Sequence, residues 1–274
     1  MNTDDLMQFA LDMIGWESIP ADSAIYVQGK DLRRVLFGLD IGTGELLMAR
    51  QLGYDAVIAH HPIGLPHRVW PVYERHVDLM TAAGVPEEAA RAAVQPKLRT
   101  LQVNGQARNY EQVPQAARRL GMPFLNIHFP LDELGRRVMQ STVDELLTVQ
   151  PGASLAAVAG ALADLPAARR AETDVAIRLG EPDAPAGKVL VCHAAYTNGG
   201  YHVAGTCFQH GIDTVIYIHI SPADLERLQA EGRGQLIVTG HIVGDAFGIA
   251  PYIRALRARG LQVDVLSHVL DPAA

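Results

Sequence analysis

Arg34-Val35-Leu36-Phe37-Gly38-Leu39-Asp40, then Gly42 and Gly44, then Glu45 to Leu52 closed by Gly53, then Tyr54-Asp55-Ala56-Val57-Ile58-Ala59-His60-His61-Pro62: this stretch decides the fold. The first run is apolar and short enough for a strand, and the two glycines break it. Glu45 to Leu52 reads as a helix, and the second apolar run, interrupted only by Asp55, reads as a buried strand. Strand, helix and strand in so few residues form a βαβ unit, which implies a parallel sheet and an α/β fold.

Outward from this unit the rhythm continues. Leu6, Phe9, Ala10, Met13 and Ile14 recur at helical spacing, predicting an opening helix that ends near Gly15; Glu17 to Gln28 reads as turn-rich. Pro71 to Leu120 is mostly helical in pattern, punctuated by Pro86, Pro96 and Gly105, with Asn109 as a candidate cap and Gly121 after the last helix. Pro123 to Ile127 is a short strand that finishes on His128. Ala153 to Ala171 reads as one helix striped by Leu155, Val158, Leu162 and Leu165.

Lys188 to His193 restarts the strand pattern, and a divergent repeat follows. Gly53-Tyr54-Asp55-Ala56-Val57-Ile58 is matched by Gly211-Ile212-Asp213-Thr214-Val215-Ile216, and His61 and His219 each stand eight residues after the glycine. Gln235 to His241 is again strand then histidine, leading into a helix through Leu256 and Arg257 and a last strand from Leu261 to Leu266.

The chain has 274 residues, which at roughly 150 per typical domain leaves room for one large domain or two modest ones. Apolar residues make up 49% and charged residues 19%, which favours a well-buried interior or a subunit interface over disorder. A net charge of −7 with no basic run argues against nucleic acid as a partner, because counterion release needs clustered cations. Cys192 and Cys207 form neither a disulfide framework nor a metal-ligand spacing, so a reducing, cytoplasmic compartment is expected. No basic leader opens the chain and no apolar run is long enough to span a bilayer, so no membrane association is expected.

The histidines, eleven in all, carry the functional reading. An apolar strand ends and a histidine follows at His60-His61, at His128, at His219 and at His241. In open α/β sheets ligands bind outside the carboxyl ends of the strands, so such residues can converge although far apart in sequence. Asp132 and Asp245 each follow a histidine by four residues. If the segment after His241 is helical, His241 and Asp245 share one face; Pro130 makes His128 to Asp132 read as a loop turning two groups inward. Adjacent histidines serve together only where the chain turns or two ions sit side by side. The set His60, His61, His128, Asp132, His241 and Asp245 is nitrogen and oxygen without thiolate, which suits Zn²⁺, Fe²⁺, Mn²⁺ or Co²⁺.

Structural roles compete at several positions. His128 can orient Asp132 instead of binding an ion, Asp132 can cap a helix, and Asp40 can either cap a helix or support the site. His193 and His202 flank the turn Asn198-Gly199-Gly200, which could cradle a phosphate or simply reverse the chain. His67, His76, His210 and His268 read as surface or core residues, and both cysteines as buried thiols.

These motifs in this order, Leu36 to Asp40, Ile58-Ala59-His60-His61-Pro62, His128 with Asp132, and Thr239-Gly240-His241 with Asp245, resemble the NGG-interacting-factor-three-like family, also called GTP cyclohydrolase I type II homologues. The resemblance runs along most of the chain. It implies two intertwined, related α/β domains with a metal-binding cleft at strand carboxyl ends: residues 1–134 with 235–274 as the first, and 135–234 inserted as the second. It further implies a homo-oligomer, commonly a hexameric ring, and a dinuclear site of two divalent ions whose ligands are His60, His61, Asp132, His241 and Asp245. The family usually carries glutamate where Asp245 stands. The implied activity is that of a dinuclear metal-dependent hydrolase of a nucleotide or similar small molecule. In the GTP cyclohydrolase-like case, an activated water would attack C8 of guanine and release formate, with His128 or His219 as catalytic residues moving protons. A metal-binding or metal-delivery protein without turnover, and a regulatory interaction protein, are the alternatives from other classes.

Overall fold

The computed structural model describes residues 1–64, 69–194, 197–267 and 269–272, and nothing of the Thr197 side chain. His67 and His268 therefore lie outside the described residues. In chain order the elements are α1 (Thr3–Ile14), β1 (Ala24–Val27), β2 (Arg34–Gly38), α2 (Thr43–Gln51), β3 (Ala56–Ala59), α3 (Arg75–Ala82), α4 (Glu87–Ala107), α5 (Gln112–Leu120), β4 (Phe124–Asn126) and α6 (Phe129–Val149). There follow α7 (Leu155–Ala163), β5 (Ala176–Leu179), β6 (Val189–Val191), β7 (His193–Ala194), β8 (Thr197–Asn198), α8 (Gly200–Gln209), β9 (Thr214–Tyr217), α9 (Pro222–Glu231), β10 (Gln235–Val238), α10 (His241–Ala258) and β11 (Gln262–Leu266).

The chain is an α/β protein of two compact units, each drawn from separate stretches: 1–72, 100–134 and 248–274 in the first, 73–99 and 135–247 in the second. The first unit holds a sheet in the order β1-β4-β3-β2-β11. β11, β2, β3 and β4 run parallel and β1 lies antiparallel on the edge. All four residues of β3 are buried, as expected of a central parallel strand covered on both faces. Leu36 and Val57 turn to one face, where they meet Leu46 and Ala49 of α2 and Ala117 of α5. Phe37 turns the other way, its ring 6.3 Å from that of Tyr252, whose hydroxyl donates to the Leu6 carbonyl of α1.

The second unit repeats the plan with a sheet in the order β5-β10-β9-β6; β6, β9 and β10 are parallel and β5 is the antiparallel edge. β10 falls here by its pairing with β9, although the sequence reading grouped 235–274 with the first domain. Its four-residue run offers no sign of which sheet it joins; only its long-range partners show that.

Local expectations held except where one signal outweighed another. α1 ends on Gly15 at φ 71°, as the glycine predicted. The turn-rich segment contains β1, a strand whose four half-buried residues show no alternation. Pro96 lies inside α4, and α5 starts after Glu111 at φ 75° instead of at an Asn109 cap. The helix expected over 153–171 stops at Ala163, and Pro166 follows before a short 3₁₀ turn at 168–170.

The largest local correction concerns His128 to Asp132, which is no loop. The Leu131 and Asp132 amides both donate to the His128 carbonyl, at 2.9 and 3.1 Å, so α6 begins directly after His128. Pro130 sits in the first turn, where helical N–H groups have no intrahelical acceptor and a proline loses nothing.

Candidate metal centre

In the first unit, β3 and β4 are adjacent parallel strands, so the residues following their carboxyl ends are neighbours. The His60 amide donates to the Gly38 carbonyl and the His61 amide to the next carbonyl, Leu39. Consecutive donors on consecutive acceptors break the every-second-residue rhythm of a parallel ladder, so the chain bends here. That bend lets tandem histidines face one region: the His60 and His61 rings lie 5.1 Å apart and those of His60 and His128 4.9 Å apart.

Each of these three imidazoles is fixed by a partner that can only accept. His60 Nδ1 faces the Ile127 carbonyl at 3.1 Å, His61 Nδ1 faces Asp40 Oδ1 at 2.8 Å, and His128 Nδ1 faces Asp22 Oδ2 at 2.7 Å. Nδ1 therefore carries the hydrogen in all three, and Nε2 is the lone-pair nitrogen. Potential ligand atoms of the three lie within 4.8 Å of one another. Asp132, in the first turn of α6, lies between two of them: Oδ1 is 3.2 Å from His60 Nε2 and Oδ2 is 3.4 Å from His128 Nε2. His60 is fully buried and Asp132 is 1% exposed. A lone-pair nitrogen facing a carboxylate oxygen in so dry a place calls for a cation between or beside them, either a proton or a metal ion. The donor set fits a borderline divalent metal, with acceptor-backed histidines as metal sites commonly have.

His128 is stitched in place by residues over a hundred positions away. Its amide donates to Ser23 Oγ at 3.0 Å, and Asn126 Nδ2 donates to the Asp22 carbonyl at 2.7 Å. Asp22 is the functional residue that sequence reasoning missed; it lies in a turn-rich stretch and carries no motif. Asp40 supports His61 and caps no helix, since α2 starts beyond it and Gly42 donates to Glu45 Oε2.

In the second unit, β9 and β10 are likewise adjacent and parallel, and the rings of His219 and His241 beyond their ends lie 5.0 Å apart. His241 opens α10 and Asp245 stands one turn later, with His241 Nε2 3.4 Å from Asp245 Oδ2. Gly244 lets the helix pass closely: a Cβ there would lie 2.2 Å from Ile218 Cγ2. Asp245 is buried and the His241 side chain is half exposed. His219 differs from the histidines of the first unit. Its Nδ1 lies 2.6 Å from Asn198 Nδ2, and burial with the nearby His241 and His193 lowers its pKa to about 4 against the raising influence of Asp245. His193 and His76 are buried deeper in this unit, and His202 lies on α8 beside Tyr201.

Among the described residues no helix is long and apolar enough to cross a membrane. Both cysteines are buried and free.

No family model matches the chain, and no curated protein matches it either. Solved structures do. A NIF3 superfamily protein from Sphaerobacter thermophilus is 48% identical, with 98% of each chain covered and a TM-score of 0.95. Reduced HcgD from Methanocaldococcus jannaschii shares the fold at 12% identity and a TM-score of 0.59, over 97% of this chain and 98% of that one. A Bacillus cereus protein related to NIF3 does so at 11% identity and a TM-score of 0.51, over 99% and 98%. With nearly half its residues identical to the first of these over almost its whole length, the chain belongs to the NIF3 superfamily, the family its histidine motifs resemble.

Proposed function

We propose that the chain is a dinuclear metal-dependent hydrolase acting on a nucleotide or similar small molecule, with GTP cyclohydrolase-like ring opening as its specific form. The carrying observation is the trio of Nδ1-anchored imidazoles, His60, His61 and His128, whose ligand atoms lie within 4.8 Å of one another, with the Asp132 carboxylate beside His60 and His128. The proposed ligands are His60, His61 and Asp132 with His241 and Asp245, holding two ions of Zn, Fe, Mn or Co. Bound ions of this kind supply a Lewis acid and bring the pKa of water toward neutrality. The chain's own part is to hold the ligands rigidly. Asp40 and the Ile127 carbonyl fix the tandem histidines, and Asp22 holds His128 beside Asp132, where His128 can pass a proton. Free, buried cysteines support a cytoplasmic setting, and exposed apolar side chains such as Leu47, Leu52 and Tyr110 support a homo-oligomer, with a hexameric ring as the proposed form.

The test is metal quantification combined with a nucleotide panel. Two ions per chain, with GTP consumed and formate released by the wild type, and both lost in His61→Ala, is the expected result. Two ions per chain with no nucleotide or related small molecule consumed would replace the hydrolase by a metal-handling protein without turnover. Sedimentation as a monomer would remove the ring.

A further inference from the structure

We infer that Tyr26 is a positioning residue of the metal centre, whose hydroxyl joins the segment after His60-His61-Pro62 to the carboxylate that backs His128, so that one chain of hydrogen bonds holds both histidine-bearing segments. The inference rests on the reading above for the centre it serves, and adds a residue that the motifs do not contain.

The backbone sets Tyr26 apart. Across β1 and β4, Ile25 opposes Leu125 and Val27 opposes Phe124, so Tyr26 is the extra residue of a β-bulge. Bulges re-aim a side chain out of the strict alternation of a strand, and they gather beside functional sites. The re-aimed ring stacks on that of Phe124, with centroids 5.2 Å apart. Gly64, three residues after His61, lies so close against it that a Cβ there would stand 2.6 Å from Tyr26 Cε1. Any larger residue at 64 would displace either the phenol or the segment that follows the tandem histidines.

Every hydrogen in the chain of bonds has one place. The Gly64 N–H can only donate, so Tyr26 Oη accepts it, at 3.0 Å, and directs its own hydrogen to Asn126 Oδ1 at 2.7 Å. Asn126 Nδ2 donates to the Asp22 carbonyl at 2.7 Å, which settles the orientation of that amide. Asp22 Oδ2 accepts from His128 Nδ1 at 2.7 Å, while Ser23 Oγ accepts the His128 amide and donates to Asp22 Oδ1. Asn126 is fully buried and Asp22 is 2% exposed, so a lost link leaves a dry polar group unpaired. Burial pushes the Tyr26 phenol up to about 12, so it remains a donor at neutral pH. A phenylalanine at this position would fill the same space and stack in the same way. Only the hydroxyl ties Gly64 to Asn126, and through Asn126 to Asp22 and His128.

The test compares full-length wild type with Tyr26→Phe, and with Gly64→Ala as a second variant that acts from the other side of the same contact. Hydrogen exchange by NMR in chelator-treated protein follows the His128 Nδ1–H, the Gly64 amide and, as a reference, the Val57 amide, which donates to the Pro123 carbonyl in the same sheet. Calorimetry then measures Zn²⁺ affinity. In Tyr26→Phe the His128 and Gly64 hydrogens should exchange about tenfold faster, the Val57 amide should be unchanged, and Zn²⁺ should bind about tenfold more weakly. Gly64→Ala should show the same pattern, and if it does not fold, Tyr26→Phe decides alone. Faster exchange at all three hydrogens together, or at Gly64 alone, means that Tyr26 only packs β1, and overturns the inference. Zn²⁺ bound equally by wild type and Tyr26→Phe overturns it as well and leaves the metal centre standing. No Zn²⁺ bound by the wild type, with His128 and Gly64 responding as expected, leaves the positioning chain standing and sinks the metal centre.

Discussion

Four histidines at strand ends differ in one hydrogen bond each, and that bond decides what each can do. Carboxylate or carbonyl backing makes His60, His61 and His128 acceptors at Nε2, whereas amide backing makes His219 a donor. This gives a sharp prediction for Asp22. Asp22→Asn keeps the shape and the backbone carbonyl that Asn126 uses, but its amide can donate to His128 Nδ1 and drive the hydrogen to Nε2. A hydrogen on Nε2 would face Asp132 Oδ2, 3.4 Å away, and compete with a metal ion for that proposed ligand, so metal affinity should fall about tenfold or more by calorimetry while the circular dichroism spectrum stays that of the wild type. Equal affinity in the two proteins would show that the Asp22 contact only holds the chain. At this scale the sequence pointed to the candidate residues, because histidines after strands advertise themselves. It hid the residues behind them, since Asp22 and His128 are 106 positions apart and Asn198 looks like any turn residue.

At the scale of elements, the faint repeat corresponds to a shared piece of backbone architecture. Gly53 and Gly211 both adopt positive φ, at 74° and 82°, ending α2 and α8. The next amide donates back into the helix in each case, Tyr54 to Ala49 at 3.0 Å and Ile212 to Cys207 at 3.1 Å. The repeated aspartate then clamps the start of the neighbouring strand. Asp55 Oδ2 accepts the Arg33 and Arg34 amides at 2.8 Å, and Asp213 Oδ2 accepts the Lys188 amide at 2.7 Å. Both aspartates should therefore matter in the same way. Asp55→Ala and Asp213→Ala should each cost about 1–2 kcal/mol in denaturant unfolding, with metal content unaffected. A cost at one position and none at the other would mean that the likeness of the two βαβ units is only nominal. The repeat was legible because glycine and aspartate have backbone tasks that leave a fixed spacing. β1 was not, because a four-residue edge strand takes its pairing from β4 and shows no periodicity of its own. Pro130 misled for a related reason: it breaks helices in their interior but suits the first turn, and only the boundary of α6 tells these apart.

For the whole molecule, apolar content and the βαβ rhythm made an α/β chain of two sheets legible, but the partition of segments was not. Residues 73–99 and 235–247 belong with the second unit through contacts far away in the chain, which local pattern cannot encode. The same burial that makes the units compact predicts how the chain responds to acid. His76, read from the sequence only as a surface or core residue, is fully buried on α3, with Nδ1 donating to the Tyr73 carbonyl at 3.1 Å. Burial pushes its pKa from 6.5 down to about 4. The sign follows from which state binds the proton first: between pH 6.5 and 4 the unfolded chain takes it up and the folded chain does not, so stability falls as pH falls through that window. The loss attributable to His76 is about 3 kcal/mol at full extent. His219 is lowered in the same direction and adds to the trend. Urea unfolding of metal-free wild type at pH 7.5 and pH 4.5 should show this loss, and His76→Asn, whose amide can still donate to Tyr73, should lose most of it whatever its own starting stability. An equal pH dependence in the two proteins would mean that His76 is reached by protons in the folded state and that its burial does not govern the acid response of the chain.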